Sequence, residues 1–161
     1  MAYLSYDILS ERYDELYGEE QVGKYKNVVK IYGGNLGVVL DAGCGTGLFL
    51  EYVKHSREVE YLLYVGVDIS LGMLRIARLR KDNTSDFIYA DVHKLPFRDK
   101  CFDTTVSITV IHHLNHKIAL EEMKRVTRCR VIVTQNKMLD DRCIEGEKYE
   151  SIREAIYIIS P

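Results

Sequence analysis

The rhythm of apolar and polar positions changes near residue 36. Before it, Val22, Tyr25, Val28, Val29 and Tyr32 recur three or four positions apart, the spacing of one helix face, and Gly33-Gly34 ends the run. After it, short apolar runs alternate with helical patterns. LGVVLD (36–41), YLLYVGVD (61–68), DFIYAD (86–91), FDTTVSITVI (102–111) and CRVIVTQ (129–135) read as strands. GLFLEYVKHS (47–56), LGMLRIARLRK (71–81) and KIALEEMKRVTR (117–128) read as the helices between them. Short apolar strands separated by helices predict a parallel sheet covered on both faces.

The fold class expected is therefore α/β, a doubly wound Rossmann-like, mostly parallel sheet with helices on both faces. Ligands of such sheets lie beyond the carboxyl ends of the strands. The 161 residues suit one domain. Residues 1–35 would be a helical segment over the site, 36–135 the core, and 136–161 a shortened C-terminal segment. Only 26 residues of the 161 follow Gln135. Ile152, Ala155, Ile156 and Ile159 have helical spacing, although IYII also reads as a short strand. We expect the last strands of the sheet to be incomplete, which leaves the strand at 129–135 as an edge. Edges get covered, so a homodimer is expected there.

Composition narrows the function classes. Apolar residues make up 47% and charged residues 29%, as in ordinary globular domains. A net charge of −2 gives no global attraction to nucleic acid or to an anionic membrane. No apolar run approaches a membrane span, and the acidic N-terminal stretch lacks the form of a secretion signal. A cytoplasmic location is expected. Cys44, Cys101, Cys129 and Cys143 show no zinc spacing, and no metal site is expected.

The chemistry concentrates at VVLDAGCGTGLFL (38–50). Three glycines fall within five residues, Gly43, Gly45 and Gly47. No Gly-Lys-[Ser/Thr] follows, and position 48 is Leu where a dinucleotide fingerprint has Gly. Asp41, two residues before Gly43, would repel a pyrophosphate. It suits a ligand with positive charge in its middle, and S-adenosylmethionine, with a sulfonium and an ammonium, has that form. Asp68 and Asp91 end the next two strands, where one carboxylate can accept ribose hydroxyls and the other an adenine amino group.

VLDAGCGTG (39–47), VGVDIS (65–70), ADVHKLPF (90–97), FDTTVSITVIHHL (102–114) and EEMKRV (121–126) together resemble the class I S-adenosylmethionine-dependent methyltransferases, in the branch of small generic methyltransferase domains. The resemblance spans about residues 36–135. It implies that Asp41, Gly43, Cys44, Gly45 and Gly47 hold the methionine part of the cofactor. It likewise implies that Asp68 binds the ribose, Ile69 packs on the adenine, Asp91 with the Val92 backbone binds the adenine edge, and Ser107 faces the transferring methyl. Tyr13, and after it Tyr17, would reach the cofactor carboxylate. The products would be S-adenosylhomocysteine and a methylated acceptor.

The acceptor's identity is not legible, but its pocket is expected between the N-terminal helix and residues 107–113. His113 is the candidate general base, ahead of His112, while His93 and His116 suit surface or capping roles. The chain lacks the [Asp/Asn]-Pro-Pro-[Tyr/Phe] run of amino-methylating DNA enzymes and the Pro-Cys of cytosine-C5 enzymes. It also lacks the branch's Lys-Pro-Gly-Gly turn before the fifth strand. Basic runs at 75–81 and 124–130 read as solvated helix faces. A short tail leaves little material for a lid, so a macromolecular acceptor or a completing partner is expected. Two alternatives stand: a non-catalytic S-adenosylmethionine-binding subunit that acts with a partner, and an NAD-dependent oxidoreductase.

Overall fold

The computed structural model describes residues 2–139, 142–150 and 154–161, and the side chains from residue 9 onward. A helix α1 (Ala2–Tyr32) leads into strand β1 (Val38–Ala42), helix α2 (Leu48–His55), strand β2 (Leu63–Asp68), helix α3 (Leu71–Arg78) and strand β3 (Ser85–Tyr89). Strand β4 (Phe102–Ser107), a 3₁₀ turn (Ile111–His113), helix α4 (His116–Val126) and strands β5 (Thr127–Asn136), β6 (Glu147–Glu150) and β7 (Glu154–Ile159) complete it. The sheet runs β3-β2-β1-β4-β5-β7-β6. β1 pairs in parallel with β2 and β4, β2 with β3, and β4 with β5. β7 runs antiparallel to β5 and β6.

The order of strand addition reverses at β1, with β2 and β3 built outward on one side and β4 onward on the other. The crevice beyond Ala42 is thus the switch point. Helices cover both faces. On one, Tyr25, Val28 and Val29 of α1 join Phe49, Leu50 and Leu74. On the other, Ala119, Met123 and Val126 of α4 pack over Leu40, Val131 and Val133. The double covering explains why the strands read as unbroken apolar runs.

Two expectations about the C-terminal third need correction. The sheet keeps all seven strands, so β5 is not an edge, and its pairing with β7 runs from Val131↔Ile159 to Asn136↔Glu154. The physical reason given for a homodimer at that edge falls away. The shortening lies in the connection instead: β5 ends at Asn136, β6 begins at Glu147, and no helix falls among the described residues between. The helical spacing of Ala155, Ile156 and Ile159 belongs to a strand whose side chains are buried toward both faces; Ile152 lies outside the described residues.

The missing turn before β5 is also accounted for. Helix α4 ends at Val126 and β5 starts at the next residue. Thr127 makes the junction, its hydroxyl donating to the Met123 carbonyl at 2.5 Å and lying 2.6 Å from the Thr105 hydroxyl. Arg125 ties the end of α4 to the segment after β3, donating to Leu95 and Phe97 carbonyls and pairing with Asp99 and Glu122.

Candidate active site

A cleft of about 930 Å³, counting the part open to solvent, lies beyond the carboxyl ends of β1–β4. Its floor is the glycine loop. Gly43 has φ +86, and a Cβ there would meet Val110 at 2.6 Å, so only glycine fits. Gly45, at φ +54, has nothing within 4 Å of the place a Cβ would take. The bare backbone therefore faces open space, as close approach of a ligand requires.

Asp68 organises the loop. Its Oδ2 accepts from the Gly45 N–H and its Oδ1 from the Ser70 N–H, both at 2.9 Å. Ser70, not Asp68, caps α3, accepting from the Met73 N–H at 3.2 Å. Asp91, two residues past the end of β3, accepts from the His93 backbone and ring at 2.9 and 2.7 Å, both on Oδ1. Partial burial pushes the Asp91 carboxyl up, but these bonds and the nearby imidazole outweigh it and hold it below the usual range. Ile69, Met73, Ala90, Val92 and Leu114 make the apolar lining between the two acids.

Tyr13, Gly43, Cys44, Gly45, Asp68, Ile69, Asp91, Val92 and His113 all line this cleft. Asp41, Gly47 and Ser107 do not. Asp41 is 3% exposed and sits beneath the loop, accepting a very short hydrogen bond from the Tyr64 hydroxyl. Burial pushes its carboxyl up to about 7, the Tyr64 bond opposes this and Asp68 adds to it. Gly47 packs α2 against Phe87 and Ala77. Ser107 is fully buried, its hydroxyl donating to the Ala42 carbonyl at 2.9 Å across β4 and β1. Burial, with Asp41 and Asp68 adding, raises the Cys44 thiol well above its ordinary value, which leaves it an inert wall residue.

The sequence reading singled out neither Gln21 nor Tyr25, and it reached Thr46 and Thr109 only as members of the glycine loop and of the 107–113 segment. Thr109 is a β-branched residue at φ +63, a conformation that costs about 1–3 kcal/mol. Three contacts hold it: its N–H donates to the Thr134 hydroxyl at 2.8 Å, its hydroxyl donates to Gln21 Oε1 at 3.3 Å, and Lys24 Nζ donates to it at 3.2 Å. Thr109 is shared by the cleft and a second cavity under α1. Its positive φ has no signal in the sequence, because the partners lie 85 and 88 residues away.

α1 closes the cleft and is clamped to the loop. Asp14 pairs with Arg80 Nη2 at 2.5 Å and accepts from the Thr46 hydroxyl at 2.6 Å, while Arg80 Nη1 donates to the Thr46 carbonyl at 2.6 Å. Arg80→Met is expected to lower stability by about 2 kcal/mol, the range for lost charged hydrogen bonds. Amide exchange should accelerate selectively in residues 9–20; exchange at the native rate there would refute the clamp.

The methyltransferase-domain family pattern matches residues 40–133, from β1 into β5. This chain belongs to the class I S-adenosylmethionine-dependent methyltransferases. It is 35% identical over 131 residues to an uncharacterised protein of Methanocaldococcus jannaschii, covering 76% of this chain and 46% of that one. It is 35% identical over 95 residues to the tRNA (carboxymethyluridine(34)-5-O)-methyltransferase of Arabidopsis thaliana, covering 56% of this chain and 21% of the relative. The chain thus spans less than half of these relatives. A chain of the Haloferax volcanii complex between the Trm112 methyltransferase activator and a methyltransferase has the same fold, with a TM-score of 0.71 at 21% identity over 81% of this chain and 60% of that one. Among the described residues no helix is long and apolar enough to cross a membrane.

Proposed function

We propose that this chain transfers a methyl group from S-adenosylmethionine to an RNA acceptor. The observation that carries the donor half is the cleft itself: bare backbone at Gly45, the Asp68 carboxylate on the loop, and Asp91 across an apolar slot. These residues fit the group. Asp68 offers carboxylate oxygens to a diol, the walls at Ile69, Met73 and Val92 suit a flat adenine, and Asp91 suits its amino edge. Tyr13 and Gln21, linked at 3.5 Å, sit at the end toward α1, where an amino-acid tail would lie. Asp41, below the loop, contributes its field and not a contact.

The donor supplies an electrophilic methyl on a sulfonium. The acceptor's nucleophile forms a bond to that carbon as the carbon–sulfur bond breaks, and one proton leaves the acceptor. Catalysis by the chain is then chiefly alignment of the two reactants. His113 lines both cavities. Desolvation lowers its imidazole from the ordinary value, so the ring is neutral and able to accept that proton at pH 7. RNA is supported by the Arabidopsis thaliana relative, which is named as a tRNA methyltransferase.

The test is a titration with S-adenosylhomocysteine, with NAD as control, followed by labelled-methyl transfer to bulk tRNA. Tight binding of the first alone and label in RNA are expected. Binding of NAD would overturn the donor reading, and label confined to small metabolites the acceptor reading. Action with a protein partner is a second reading, favoured by the Haloferax volcanii complex. Transfer by the isolated chain would count against it.

A further inference from the structure

A second cavity, about 1040 Å³ counting its open part, lies between α1 and the turn after β4. It shares Tyr13, Gln21, Thr109 and His113 with the donor cleft, so the two cavities are immediate neighbours. α1 brings it two aromatic rings, Tyr13 and Tyr17, with centroids 5.1 Å apart. The turn after β4 brings two more, His112 and His113, at 3.9 Å. Flat rings from two different elements favour a flat occupant.

Lys24 adds directionality. It is 8% exposed and lines this cavity. Its Nζ lies 2.8 Å from Glu20 Oε1 and donates to the Thr109 hydroxyl at 3.2 Å. An ammonium has three donors, and these contacts use two. Glu20, with the Glu154 carboxylate also within electrostatic reach, already balances the charge, so a further ligand is matched as a neutral oxygen better than as another anion.

We propose that this cavity is the acceptor subsite and that it takes a planar heteroaromatic base bearing a ring carbonyl, with Tyr17 as the stacking surface and Lys24 as the donor to the carbonyl oxygen. The proposal rests on the methyl-transfer reading above. It makes both side chains specificity-determining, because neither lines the donor cleft. Tyr17, 41% exposed, marks the mouth, beside Leu139 at 66%.

The test is saturation-transfer NMR on the full chain carrying S-adenosylhomocysteine. The probes are uridine and cytidine, whose bases have a ring carbonyl, adenosine, whose base has none, and a short oligouridylate. Uridine and cytidine should bind about tenfold better than adenosine. Tyr17→Ala should weaken uridine about tenfold and Tyr17→Phe restore it. Lys24→Met should bring uridine level with adenosine, each variant being read at saturating S-adenosylhomocysteine because Lys24 also holds Thr109 at the donor cleft. Tighter binding of the oligouridylate than of uridine would assign the base to RNA, and equal binding to a free nucleoside; both keep the subsite. Equal binding of all three nucleosides, or uridine binding indifferent to both Tyr17→Ala and Lys24→Met, would overturn it. A chain that binds uridine but no S-adenosylhomocysteine would instead overturn the reading beneath it.

Discussion

Asp68→Ala is expected to weaken S-adenosylhomocysteine binding at least about 100-fold, the loss of two charge-assisted hydrogen bonds to a ligand diol. The same carboxylate already bonds the Gly45 and Ser70 N–H groups at 2.9 Å each. It therefore works on both sides of the interface, shaping the loop while presenting acceptor oxygens to the cleft. Asp68→Asn is the milder change. It keeps one oxygen as an acceptor but sets a donor against the other backbone N–H, so stability should fall by about 1 kcal/mol while affinity falls about tenfold. Calorimetric titration and thermal denaturation of both variants check this. A loss of stability in Asp68→Ala with native affinity in Asp68→Asn would make Asp68 a structural brace alone.

The core was legible because its strands are bounded by chemistry as well as by hydrophobicity. β1, β2 and β3 each end at or beside an acid, Asp41, Asp68 or Asp91, so pattern and motif fixed each other's position. The C-terminal strand β7 had no such marker. Buried toward both faces, it lacks the alternation that separates strand from helix. Site residues divided in the same way. Those on the glycine loop and at strand ends follow from local spacing. Gln21, Lys24 and Thr109 meet only through tertiary packing, and on α1 the first two pass for a solvated helix face. Asp41 and Ser107 sit at the right strand ends, but both point into the sheet's packing and not into the cleft.

Asp41→Asn should be more stable than the native chain at pH 8, by on the order of 2 kcal/mol, and no more stable at pH 5. An unfolded chain releases the Asp41 proton near pH 4, whereas the folded chain holds it until about pH 7. Between those values the native state binds the extra proton. Stability conferred by the neutral acid therefore declines as pH rises through this window and levels off above about 7. The gap of roughly three pH units bounds the loss at ~4 kcal/mol. Asparagine cannot ionise, yet its carbonyl still accepts from the Tyr64 hydroxyl, so the variant escapes the decline. Denaturant unfolding at the two pH values measures this, and an equal difference at both would show that Asp41 ionises normally. In the proposed reading the ionised acid serves the ligand. A cationic donor above the loop favours the carboxylate, so binding should strengthen between pH 6 and 8 in the native chain and lose that dependence in Asp41→Asn. The variant would gain stability and lose affinity, as expected where a fold keeps a buried charge for its ligand.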